Sequence, residues 1–176
     1  FDNEPWRPYN VAPDALLVNY KAVTVGFTPD AAAGVARLQY DPPLAGIQQQ
    51  ETVPLAPAGS ECGDWRARLQ LDMTDPLRIA FAGPFPASCG DKSWSLAPAQ
   101  PEAFAARAIE GMWRELGGKL TGTVHDGRVP AGLQPAFQSE SPSLAEVVRD
   151  INKYSNNVMA QQVFLTMGMQ RTGLAS

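Results

Sequence analysis

The chain has 176 residues, 44% apolar and 18% charged, with a formal net charge of −4. That composition excludes a disordered tail, and the thin spread of Lys and Arg excludes a nucleic-acid-binding surface. No apolar run approaches the roughly 18 residues of a membrane span. Fifteen Gly and sixteen Pro predict many turns and short strands. The chain opens on Phe1-Asp2-Asn3-Glu4, without an initiator Met or a signal peptide, and so reads as a processed protein or an excised piece.

The first half reads as strands. Residues 15–20 and 22–27 are short apolar runs, with Asn19 to Lys21 as a tight hairpin turn between them. Residues 34–40 alternate and are stopped by Asp41-Pro42-Pro43. Residues 65–71 alternate more cleanly, with Trp65, Ala67, Leu69 and Leu71 on one face. Residues 77–83 are the next period-two stretch, and Pro54, Pro57 and Gly59 mark a loop between strands. The expectation is a small antiparallel sheet with one wet face.

The second half turns helical. Pro101 suits a first helical position, and Phe104, Ala108, Met112 and Leu116 recur every four residues, widened by Ile109 and Trp113. Gly117-Gly118 supplies a stop, residues 119–124 read as a strand, and 129–138 as a turn-rich connection. Ser143 and Glu146 have the spacing of a capping box, ahead of an apolar face of Leu144, Val147, Val148 and Ile151. A further helix is predicted over residues 158–167, ended by Gly168.

Cys62 and Cys89 are the two cysteines, and His125 is the single histidine. Three such residues at distant positions make a poor zinc set, since a site needs about four ligands. A disulfide between Cys62 and Cys89, with the oxidising compartment it implies, is favoured over two unpaired thiols. His125 lies in Thr123-Val124-His125-Asp126-Gly127, a surface turn rather than a catalytic base. No Gly-rich phosphate loop and no carboxylate pair stand out, and no metal or cofactor is expected.

The link between the last two helices is different. Ser155-Asn156-Asn157 fits the S-x-N pattern of serine enzymes that act on D-alanyl peptides or β-lactams. A hydroxyl there can relay a proton between a general base and a leaving amine. An amide two residues on can hold a peptide bond by donor and acceptor together. On three residues alone, a polar helix–helix turn is the competing reading.

The surrounding segment carries more. Ser141-Pro142-Ser143-Leu144, a helix, Lys153-Tyr154-Ser155-Asn156-Asn157 and then Val158-Met159-Ala160-Gln161-Gln162-Val163-Phe164 resembles the class C low-molecular-mass penicillin-binding proteins, the D-alanyl-D-alanine carboxypeptidase/endopeptidases. Residues 7–19 are similar to the segment entering that family's inserted domains, and residues 103–116 to the helix before the return to the catalytic domain. Cys62 and Cys89 also resemble a cysteine pair of some members.

The resemblance implies an α+β fold. Antiparallel β-rich inserted modules with one packed helix would occupy residues 1–130. Residues 131–176 would be a helical part of a penicillin-binding/β-lactamase-like transpeptidase domain. It implies a periplasmic or secreted serine-type enzyme that acts on peptidoglycan stem peptides and crosslinks through an acyl-enzyme, binds β-lactams and uses no metal. Ser155 would be the relay hydroxyl and Asn157 the substrate-holding amide.

The departures define a further expectation. The family nucleophile lies in S-x-x-K, and no Ser here has Lys three residues later. Lys119-Leu120-Thr121-Gly122 and Arg171-Thr172-Gly173 are poor stand-ins for its third motif, K-T-G, in spacing, order or context. The nucleophile would then lie before residue 1 and the third motif after residue 176, and the isolated chain would be silent. A non-catalytic module that binds peptidoglycan or a partner is the alternative, and an unrelated secreted α+β protein with a chance S-N-N is a third.

Overall fold

The computed structural model describes residues 7–173, so the opening Phe1-Asp2-Asn3-Glu4 lies outside the described residues. The fold is mixed α+β. Strands β1 (Val23–Asp30), β2 (Val35–Asp41), β4 (Thr52–Pro54) and β7 (Lys92–Leu96) form an antiparallel sheet in the order β4-β2-β1-β7. A smaller sheet runs β3-β6-β5, from β3 (Gln48–Gln49), β6 (Arg78–Phe81) and β5 (Leu71–Asp72). Here β3 lies parallel to β6 and β5 antiparallel to it.

Period-two alternation builds the core. Val23, Val25 and Phe27 point from one face of β1 and are fully buried. Phe27 is the hub: its ring centroid lies 5.2 Å from Phe81 and 5.5 Å from both Trp65 and Phe85. Offset and edge-on contacts of this kind add to the burial itself, about 0.5–1.5 kcal/mol per pair. The Tyr40 hydroxyl donates to the Gln50 carbonyl at 2.8 Å, and burial pushes its pKa up. Cys62 and Cys89 are joined by a disulfide that spans 27 residues, with Cα atoms 4.8 Å apart, and both pack against this core.

Several segments differ from their sequence patterns. Residues 65–71 are not one strand: Trp65–Leu69 is a short helix, α1, followed by β5. Asp64 caps it by accepting the Ala67 N–H at 3.1 Å, and Trp65 and Leu69, four apart, are both buried. Over five residues, alternating apolar positions satisfy either period, and the cap decides. Residues 15–20 are likewise not a strand. The Asp14 carboxylate accepts the Leu16 N–H, and Asn19 donates to the Ala22 carbonyl, so local side-chain bonds displace an extended ladder. Asn19, Tyr20 and Lys21 all have left-handed φ, which makes a tight coil in place of a hairpin.

Helix α2 (Phe104–Glu115) buries Phe104, Ala108 and Gly111. A Cβ on Gly111 would collide with the Pro43 carbonyl, so the absent side chain lets helix and loop backbones touch. Ile109, Met112, Trp113 and Leu116, placed by periodicity on the buried stripe, are instead exposed and line a groove with Leu120 and Val124. Residues 119–124 form no strand, because no described strand pairs with them. Strand β7 has no clear signature in the sequence; it exists because β1 offers it five paired positions, from Val23–Leu96 to Phe27–Lys92.

Candidate active site

Helices α3 (Leu144–Tyr154) and α4 (Asn157–Thr172) are joined by Ser155 and Asn156. The capping box fixes the start of α3: Ser143 Oγ accepts the Glu146 N–H, and the Glu146 carboxylate accepts from the Ser143 N–H at 2.9 Å and its hydroxyl at 2.7 Å. Those bonds hold the Glu146 pKa below its usual value. Helix α4 runs through Gly168 and ends only at Gly173, which has φ 73°. An interior Gly costs a helix only about 1 kcal/mol, whereas termination is favoured by a residue that accepts the left-handed conformation.

Ser155 itself terminates α3 in that conformation, with φ 51° and ψ 44°. A serine held there is strained by the order of 1 kcal/mol relative to glycine, and such strain concentrates at functional positions. Asn156 is spent structurally: its Oδ1 accepts the Met159 N–H at 3.0 Å and caps α4. Among the described residues, the Ser155 hydroxyl and the Asn157 amide have no protein partner, and both are exposed. The middle residue of the triplet therefore builds the link, and the outer two present free polar groups. Asn157 edges a groove of about 350 Å³ shared with Tyr9, Asn10, Val11, Ala160 and Gln161.

Residues from the start of the chain hold α4 in place. Val158, at its first turn, is buried with Val11 and Ala97. Gln162 makes a reciprocal pair with Asp14, accepting its N–H at 3.1 Å and donating to its carbonyl at 2.9 Å. The Tyr20 hydroxyl reaches Met159 Sδ at 3.5 Å. Lys21, with a side chain only 5% exposed, pairs with the Asp14 carboxylate at 2.7 Å. The Lys21 ammonium holds the Asp14 pKa below the usual carboxylate range. None of these partners was singled out in the sequence as part of the site. Their one local signal is the cluster of polar residues among apolar ones at 14–22.

His125 stands apart from the link, exposed, with Nδ1 3.3 Å from the Thr123 oxygen. Lys153 lies near Ser155 in sequence, but its ammonium sits 5.1 Å over the Tyr154 ring. Among the described residues, no group of three or more His, Cys, Asp and Glu could hold a metal ion, and no helix is long and apolar enough to cross a membrane.

The family model for the D-Ala-D-Ala carboxypeptidase 3 (S13) family matches residues 2–176. The chain belongs to that family. No curated protein matches it by sequence. Among solved structures, penicillin binding protein 4 (dacB) of Haemophilus influenzae is similar over all of this chain and 38% of its own, at a TM-score of 0.63 and 19% identity. The same protein complexed with a novel β-lactam matches 95% of this chain and 37% of its own, with a TM-score of 0.58 and 19% identity. The S13 chain described here thus spans less than two fifths of these relatives, and at that identity the likeness is one of fold.

Proposed function

We propose that this S13 chain is the part of a serine-type D-Ala-D-Ala carboxypeptidase/endopeptidase that supplies the second catalytic motif, and that the whole enzyme acts on peptidoglycan stem peptides and crosslinks in the periplasm or outside the cell. The observation that carries the reading is the α3–α4 link, where Ser155 and Asn157 are exposed without a partner among the described residues and Ser155 is held in a strained conformation. The disulfide fits an oxidising compartment. Residues 1–130 are read as inserted modules and 131–176 as a piece of the transpeptidase-like domain, with the docking of Asp14 and Lys21 beside α4 tying the two together.

In this mechanism a serine elsewhere in the whole enzyme attacks the D-Ala–D-Ala carbonyl and loses its proton to a base. The Ser155 hydroxyl relays a proton to the departing D-Ala nitrogen as the C–N bond breaks, and a water later releases the acyl group. Asn157 holds the peptide bond through its carbonyl and its NH₂. β-Lactams would enter by the same attack and remain as acyl adducts. Covalent catalysis needs a nucleophile with an adjacent base, and the sequence holds no S-x-x-K.

The isolated chain incubated with a fluorescent penicillin should therefore gain no mass. A stoichiometric adduct would place a nucleophile within residues 1–176 and overturn the assignment. In a family-length enzyme carrying this segment, Ser155→Ala should slow acylation by about 10²–10⁴, the usual loss when acid–base help is removed. An unchanged rate would remove Ser155 from the mechanism.

A further inference from the structure

We propose that the apolar groove on the outer face of α2 is the seat of the remainder of this S13 enzyme, an apolar surface of the polypeptide that a family-length member carries beyond residues 1–176. The proposal rests on the reading of this chain as one part of a longer enzyme. The groove, of about 340 Å³, is lined by Ile109, Met112, Trp113, Leu116, Leu120 and Val124, with Glu110 as a charged neighbour. The first five are large apolar side chains between 39% and 83% exposed. A contiguous cluster of that kind on a folded surface marks an interface.

The polar groups of the groove are already engaged. The Trp113 indole N–H donates to the Lys119 carbonyl at 3.1 Å, which satisfies the ring's polar group and restrains its plane. A Cβ on Gly118 would strike the Trp113 ring, so the glycine after the helix lets the indole lie against the chain. The Glu110 carboxylate is held by Arg114 one turn on. The lining therefore offers an apolar wall and little to orient a polar glycan or peptide. A restrained indole on one wall with Ile109, Met112 and Leu116 is the kind of anchor that an apolar protein surface fits.

The chain's own core does not reach this face. Residues 23–108 hold the main core. Among the described residues from 109 to 173, only Gly111 and Val158 are buried, although α2, α3 and α4 all carry large apolar side chains there. The chain covers 38% of the similar dacB structure, so a family-length enzyme has the polypeptide to supply the covering layer. A surface on the same polypeptide is present at an effective concentration on the order of millimolar, which favours it over a second copy in dilute solution. The groove shares no lining residue with the one at Asn157.

The test compares thiol labelling in this chain and in a family-length enzyme carrying the same segment. Cys62 and Cys89 are bonded to each other, so a neutral maleimide reports only an introduced cysteine. Leu116→Cys and Met112→Cys should react readily in the chain and about tenfold or more slower in the enzyme, at every protein concentration. Ala32→Cys, on the exposed turn between β1 and β2, should react alike in both. Hydroxyl-radical footprinting of Met112 and Trp113 repeats the comparison without any substitution, should show the same protection, and decides the matter where a variant fails to fold. Equal reactivity in chain and enzyme, or slowing at Ala32→Cys as large as at Leu116→Cys, would overturn the proposal. So would protection that appears in the enzyme only as its concentration rises, which would name a second copy as the occupant. No measurement here needs turnover, so a Ser155→Ala enzyme of unchanged rate would remove the relay and leave the covered groove standing.

Discussion

Removing the Asp14 carboxylate should harm the chain far more than removing the lysine it pairs with. The Lys21 side chain is 5% exposed and the Asp14 side chain 32%. Asp14→Ala strands a buried ammonium, a loss of about 3–5 kcal/mol where no water can substitute. Asp14 sits at the margin and water can enter, so about 3 kcal/mol is the expected cost, or more than a hundredfold in the folding equilibrium. Lys21→Met keeps the volume and removes the charge with its desolvation penalty, so its cost should stay within about 1 kcal/mol. The double variant should recover most of what Asp14→Ala loses. Urea unfolding followed by tryptophan fluorescence measures all three. Hydrogen exchange of residues 157–163 then shows whether α4 loosens with the pair; Gln162 is bonded to the Asp14 backbone, which the substitution keeps, so protection there falls only if the segment around Asp14 itself loosens. The sign with pH follows from the depressed Asp14 pKa. The stabilisation is present above the unfolded carboxyl pKa, near 4, and is lost as pH falls through the folded value. Lys21→Met should therefore lose less stability than the native chain on acidification. An Asp14→Ala no worse than Lys21→Met, or a double variant as unstable as Asp14→Ala, would refute the reasoning.

Reducing the Cys62–Cys89 bridge should cost roughly 3.5 kcal/mol in the chain-entropy model for a 27-residue separation, read as a lower urea midpoint in reductant. Thiol titration of the unfolded, unreduced protein should find no free thiol. Ser155→Gly should melt above Ser155→Ala by about 1 kcal/mol of stability, because only glycine enters the left-handed cap without a Cβ penalty; equal melting would mean that the cap is not strained.

The elements legible in sequence are those whose cause is local. The Ser143–Glu146 box starts α3 where its spacing says, and both of its partners lie within four residues. Strand β2 alternates over enough residues to declare its period, and Ser155-Asn156-Asn157 sits on the helix–helix link that the polar break between two apolar runs marks. Even there the division of labour within the triplet needed the structure, since either asparagine could have capped α4.

Tertiary partners decided the rest. Residues 65–71 carry a pattern short enough for helix or strand; the Asp64 cap turns them to helix, and only the shared core with Phe27 shows that Trp65 and Leu69 are the positions it buries. Four of the six residues of the α2 stripe are exposed because the Gly111–Pro43 approach sets which face of the helix turns inward, and periodicity cannot see a backbone collision. The hold on α4 joins Asp14 to Gln162 across 148 residues. A contact of that separation leaves no spacing in the sequence, because closing so long a loop is governed by the shared core and not by any local preference of the residues that meet.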